Sequence, residues 1–272
     1  MVNLNCRRVD RNNNNTPILS DAEIGQYAHA VLADYKPKLL KEPGAIRFEH
    51  FLESYLGATV LYHDIYSDDP ERPIFGATAF NDEELKVFNR ERMCVSTVHV
   101  PAHTVIMDNS VMQEGKEGLA LFTGLHEGGH LLIHPGVYAT VCEGQISLLE
   151  DELSPILCCR RDNIENFASG RRTRTPAEWR EHHADCFAAS LAMPTATFVP
   201  FVNRLLHKYD VWKGRIVTGL DDDLDYLAEV LLPFEISEVY GVSKKAAFIK
   251  LKKSGFVMDK KTHGYRSAQV AF

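Results

Sequence analysis

Three glycines stand inside the most apolar stretch of the chain, and they restrict its fold more than any other feature. The segment from Val111 to His134 carries Leu119, Phe122, Leu125, Leu131 and Ile133 with helical periodicity, and Gly124, Gly128 and Gly129 lie among them. The pattern predicts one helix, beginning at about Val111 or Glu117 and reaching His134, where Pro135-Gly136 stops it. Each interior glycine costs about 1 kcal/mol relative to alanine. A helix this weak in its own propensity must be held by packing or by a ligand. Its glycines also let another backbone come close.

The same helix holds His126-Glu127-Gly128-Gly129-His130. Histidines four apart share one helix face a turn apart, so two imidazole nitrogens can reach one metal ion. Glu127 is rotated by about 100° from that stripe. It is placed to hold a water that the metal acidifies, and to take its proton as the oxygen attacks a carbonyl. His126 and His130 are therefore expected as ligands of one zinc ion and Glu127 as general base. His134 continues the stripe, but along a regular helix it lies about 12 Å from His126. It is expected as a structural or substrate-side group rather than a third ligand.

A better source of the third ligand is the helix opened by Thr175-Pro176-Ala177-Glu178. Thr175 can cap it, Pro176 suits its first position and Glu178 completes a capping box. On this helix Glu181 and Asp185 are one turn apart, and Ala184 and Ala188 share their face. Small residues there, opposite Gly128 and Gly129, would let two helices pack closely enough to share a metal. Spacing favours Glu181 as the ligand, with His182 and His183 as competitors. Asp185 is then expected to accept the free N–H of a ligating histidine and fix its tautomer.

The rest of the chain punctuates clearly. Residues 1–17 are polar, with four asparagines in a row, and are expected to be a flexible leader. Ser20-Asp21-Ala22-Glu23 predicts a helix to about Asp34, and a second covers about 45–56 before Gly57. Strands are expected at Thr59–Tyr62, Ile74–Phe80, Val95–Val100 and Thr104–Met107. The stretch 136–174 is mixed, locally basic and carries Cys158-Cys159, read as neighbouring structural thiols. After Met193-Pro194 another helix runs from Thr195 to Lys208. The expected fold class is α+β: a mainly helical peptidase domain over 18–212, with a small sheet on the N-terminal side packed against the glycine-bearing helix. Residues 213–272 form a helical, basic C-terminal segment. There a helix over 221–240, a turn at Gly241-Val242 and a helix capped by Ser243 resemble a helix-turn-helix, read either as a unit of its own or as part of the same domain.

With 272 residues, 45% of them hydrophobic, the chain can bury a sizeable core. A net charge of −7 disfavours a dedicated nucleic-acid binder. No apolar run reaches the length of a membrane span, the first residues lack the apolar core of a signal peptide, and no two of the six cysteines form a C-x-x-C pair. A cytoplasmic protein with reduced thiols and no membrane contact is expected.

Two segments together resemble the ImmA/IrrE metallo-endopeptidases. Leu121-Phe122-Thr123-Gly124-Leu125-His126-Glu127-Gly128-Gly129-His130, continuing to His134, is similar to that family's first signature. Glu181 with Ala184-Asp185, Phe187-Ala188-Ala189, Leu191 and Met193-Pro194 is similar to its second. The resemblance covers about residues 18–256, including Gly76 and Val242-Ser243. Gly128 and Ala192 depart from it where leucine is usual, and the gap from His130 to Glu181 is long. It implies a gluzincin-like fold, zinc held by His126, His130 and Glu181, and Glu127 as base. It also implies intracellular cleavage of a helix-turn-helix repressor, an anti-repressor role tied to transcription regulation and stress response.

Two rival expectations come from other features. One is a non-proteolytic, zinc-containing regulator that binds DNA or a repressor through the basic 243–266 segment, including Lys244, Lys245, Lys250 and Lys252. Direct nucleic-acid binding is the less favoured of the two roles for this segment. The other is hydrolysis of a small amide; an edge strand at 104–107 beside the metal would instead favour a peptide added as a strand. Tyr138, His134 and His182 stand unranked as stabilisers of an oxyanion.

Overall fold

The computed structural model describes residues 2–4, 6, 8–13, 15–138, 156–160 and 175–260. The architecture is α+β, with a central helix packed between a small mixed sheet and a second helix.

The leader departs from expectation where it is described. β1 (Val9–Asp10) and β2 (Thr16–Pro17) pair antiparallel. Thr16 is buried, and Val2 and Leu4 lie against the main core. The Tyr27 hydroxyl donates to the Val2 carbonyl at 3.1 Å, and Arg180 Nη1 donates to Thr16 Oγ1 at 3.4 Å. Polarity predicted fraying, but main-chain groups and a few apolar side chains anchor the segment.

Helix α1 (Asp21–Tyr35) starts at the Ser20–Glu23 capping box. Helix α2 (Phe48–His50) runs into a π turn at Phe51–Tyr55, shorter than the expected 45–56, and Gly57 ends it at φ +68°. β3 (Thr59–His63), β4 (Ile74–Ala79), β5 (Glu83–Asn89), β6 (Cys94–Val100) and β7 (Thr104–Asp108) follow. β5 and β6 form a separate antiparallel hairpin; sequence reading found only its second strand, because Glu83, Glu84 and Lys86 mask the alternation of Leu85 and Val87.

The main sheet has the order β3-β7-β4-β8, where β8 is Ile156–Arg160. β3 lies parallel to β7, while β4 is antiparallel to both β7 and β8. Two expectations are corrected here. The sheet is not drawn from the N-terminal side alone, since β8 comes from beyond the central helix. The strand at 104–107 is interior and has no edge to offer a peptide. Cys158 and Cys159 lie in β8, but their side chains, and the rest of the basic 139–174 stretch, lie outside the described residues.

Helix α3 (Glu117–Ile133) is the glycine-bearing helix, buried almost throughout. A short turn, α4 (Pro135–Tyr138), follows it. Helix α5 (Pro176–Ala192) opens at the Thr175–Glu178 capping box and ends before Met193-Pro194. The glycines explain how α3 is held. A Cβ on Gly124 would lie 2.3 Å from the Phe48 ring of α2, and one on Gly129 would lie 3.3 Å from the Ala184 Cα of α5. Gly128 faces Phe51 and Leu52 of the π turn after α2 rather than α5, so of the two glycines Gly129 makes the expected room for the second helix.

Helix α6 (Thr195–Lys208) precedes a long C-terminal helix. α7 (Asp222–Tyr226) continues through a π turn (Leu227–Leu231) into α8 (Leu232–Tyr240), which Gly241 terminates at φ +68°. α9 (Lys244–Lys253) is capped by Ser243. β9 (Ile216–Thr218) and β10 (Val257–Asp259) pair in parallel beside them. Leu232, Ile236, Tyr240, Ala247 and Leu251 join the same apolar core as α1, α3 and α5. Residues 213–260 are thus packed on the helices before them. Among the described residues no single helix is long and apolar enough to cross a membrane.

Candidate metal centre

α3 and α5 bring three of the expected residues to one point. His126 Nε2 and His130 Nε2 are 3.0 Å apart. The Glu181 carboxylate meets them at 3.4 Å from each, Oε2 toward His126 and Oε1 toward His130. Both histidines are fully buried. Tetrahedral bonds of 2.0–2.1 Å hold ligand atoms about 3.3 Å from one another, so this triangle has the size that a small cation requires. His126, His130 and Glu181 could together hold a metal ion.

The protonation pattern agrees with that fit. His126 Nδ1 donates to Asp185 Oδ1 at 2.9 Å, which leaves the His126 Nε2 lone pair facing inward. His130 Nδ1 lies 3.0 Å from His134 Nδ1, and His134 Nε2 lies 3.3 Å from His183 Nδ1. If each histidine of this row donates to the next, His130 Nε2 also presents a lone pair. Two lone pairs and a carboxylate edge then converge, an arrangement that a cation satisfies. Burial holds His130 and His134 well below the usual histidine range, so both are neutral imidazoles, the form that binds metals. Burial also raises the Asp185 carboxyl, opposed by its hydrogen bond with His126.

Asp185 thus meets the His126 ring nitrogen that faces away from the triangle. The two competitors for the third ligand point elsewhere. His182 Nε2 meets Asp21 Oδ1 at 2.8 Å, and His183 ends the row that starts at His130. His134 meets His130 and His183 through its two ring nitrogens, and His182 meets Asp21. Tyr138 is buried, its ring stacked on Phe80 at 4.8 Å with the Arg180 guanidinium 5.4 Å above it.

Glu127 is completely buried in the interface between α3 and β4. Its Oε2 accepts a hydrogen bond of 2.5 Å from the Thr78 hydroxyl, and its Oε1 has no hydrogen-bond partner among the described residues. Burial pushes its carboxyl up to about 7; His126 and the Thr78 hydroxyl pull the other way. A Cβ on Gly76 would sit 2.8 Å from Glu127 Oε1, so only glycine leaves room for this carboxylate. Sequence reading missed Thr78 and Arg180. A glycine inside a strand does signal a close approach, but nothing local marks the hydroxyl two residues on. Arg180, 4% exposed, lies under the site from the turn before Glu181.

A comparison with models of known protein families and with curated proteins finds no match to this chain.

Proposed function

We propose that the chain is a zinc-dependent endopeptidase of the ImmA/IrrE kind, cutting a peptide bond in a protein substrate. One observation carries the reading: a buried carboxylate with an unpaired oxygen stands one residue from a triangle of two imidazoles and a carboxylate that fits a single cation. Two imidazoles and one carboxylate are the donor set that zinc takes in hydrolytic sites with an open position. A zinc ion held by His126, His130 and Glu181 would polarise the scissile carbonyl and acidify a water.

The protein's own residues supply the rest. Glu127 Oε1 receives the proton of the attacking water, and Thr78 keeps the other oxygen fixed. Burial raises this carboxyl to about 7 in the metal-free protein, and in this reading it takes the proton and returns it to the departing amine. Asp185 and the His134–His183 row hold the ligating rings in their tautomers. Tyr138, buried beside Arg180, is an oxyanion candidate in this reading.

The substrate we propose is a helix-turn-helix repressor in the cytoplasm, on the resemblance of the two signatures. The test is to incubate zinc-loaded wild type and Glu127→Gln with such a repressor encoded near this gene, and to map new termini by mass spectrometry. Cleavage by the wild type alone supports the reading. Equal cleavage by both proteins would refute the role of Glu127.

A further inference from the structure

Helix α5 carries a second set of metal-type donors on another face. Asp21, the first residue of α1, meets His182 at 2.8 Å through Nε2. One turn further along α5, Cys186 Sγ lies 3.5 Å from the same His182 Nε2. Candidate ligand atoms of all three residues fall within 4.8 Å of one another. None of the three belongs to the His126–His130–Glu181 group. We propose that Asp21, His182 and Cys186 form a second binding site for a divalent cation of the zinc class.

The donor set fits that class. Thiolate and imidazole together select zinc-like ions over magnesium or calcium, and a carboxylate completes a common mixed set. Bonds of about 2.3 Å to sulfur and 2.0 Å to nitrogen at a tetrahedral angle separate the two donors by about 3.5 Å, as found here. The Asp21–His182 distance must open by about 0.5 Å on the same geometry. Asp21 can do this, because its side chain is 68% exposed.

A way in exists too. Asp21 and Cys186 both line a cavity of about 1300 Å³ bounded also by Phe75, Phe122, Ile249 and Lys250. The fourth coordination position would open into that space. As the ion binds, Cys186 releases its thiol proton to solvent and becomes a thiolate ligand. Burial pushes the unliganded thiol up to about 12, so this cysteine is no nucleophile on its own. An ion here would tie the first turn of α1 to α5 at the residue following Glu181.

Cobalt(II) separates the two sites, since only this one contains sulfur. Full-length protein stripped of metal is titrated with cobalt(II) while the near-ultraviolet sulfur-to-cobalt charge-transfer band is followed. The wild type should develop this band and bind two equivalents. Glu181→Ala should keep the band and lose the other equivalent. Cys186→Ser should lose the band and keep the visible bands of the His126–His130–Glu181 site. Asp21→Ala, altered at an exposed position, should weaken the band-forming step roughly a hundredfold. Absence of the band in saturated wild type would overturn the proposal, as would a band unchanged in Cys186→Ser or an affinity unchanged in Asp21→Ala. Those failures leave the first site untouched, and loss of the visible bands alone would count against the first site only.

Discussion

At the scale of single residues, Glu127 is the most unusual group. It is buried with one oxygen unpaired, and its carboxyl is raised from an ordinary value of 4.5 to about 7. The raised value means that the folded, metal-free protein holds this proton more tightly than the unfolded chain does. Its contribution to stability is full below pH 4.5 and is lost as pH rises toward 7. Metal-stripped Glu127→Gln should therefore gain on the wild type across that window, by about 3 kcal/mol above pH 7. Chemical denaturation at pH 4 and pH 8 checks this; equal differences at both values would contradict it. Asp185→Asn should loosen metal binding by roughly 10–100-fold, because the His126 tautomer is no longer held. Competition with a chromophoric chelator measures it. Gly76→Ala tests the cradle of Glu127. The added methyl must displace the carboxylate or Thr123, so cleavage should fall by about two orders of magnitude while bound metal is retained.

At the scale of elements, the contact between α2 and α3 decides whether the site can form. Gly124→Ala would press a methyl into the Phe48 ring, at 2.3 Å before any relaxation. A loss of about 1–3 kcal/mol is expected. Adding Phe48→Leu should restore part of it, and thermal melts of the two single variants and the double variant read the coupling. These helices were legible in the sequence because their signals are local: the capping boxes at Ser20 and Thr175, the stop at Pro135, and the four-residue spacing of His126 and His130. Strand pairing was not legible, because it depends on distant partners. Nothing in 156–160 announces that it pairs with β4, and β7 became interior only through its contact with β3. The partner of Gly128 was misplaced for the same reason, since helix spacing gives a direction but not a neighbour. The lysines of α9 also resist reading from composition. Lys244 sits over Phe234 at 5.1 Å and Lys250 over Phe198 at 5.8 Å, and burial lowers the Lys250 ammonium to about 8. The charge run is thus partly spent on packing against aromatic rings.

At the scale of the whole molecule, the N-terminal segment, the sheet and the C-terminal helices enclose α3 and α5, the two helices that meet at the candidate metal centre. The metal triangle depends on their close approach at Gly129 and Ala184. Its candidate ligands lie fifty-one residues apart in sequence, between His130 and Glu181; spacing favoured Glu181 over His182 and His183, and the resemblance named it. The central claim is that one zinc ion binds between these two helices. Crystals of the zinc-loaded protein, measured on both sides of the zinc absorption edge, test it most directly. The account predicts an anomalous peak about 2.0–2.2 Å from His126 Nε2, His130 Nε2 and a Glu181 carboxylate oxygen. A saturated crystal with no peak at that point, or with zinc bound by other residues alone, would contradict it.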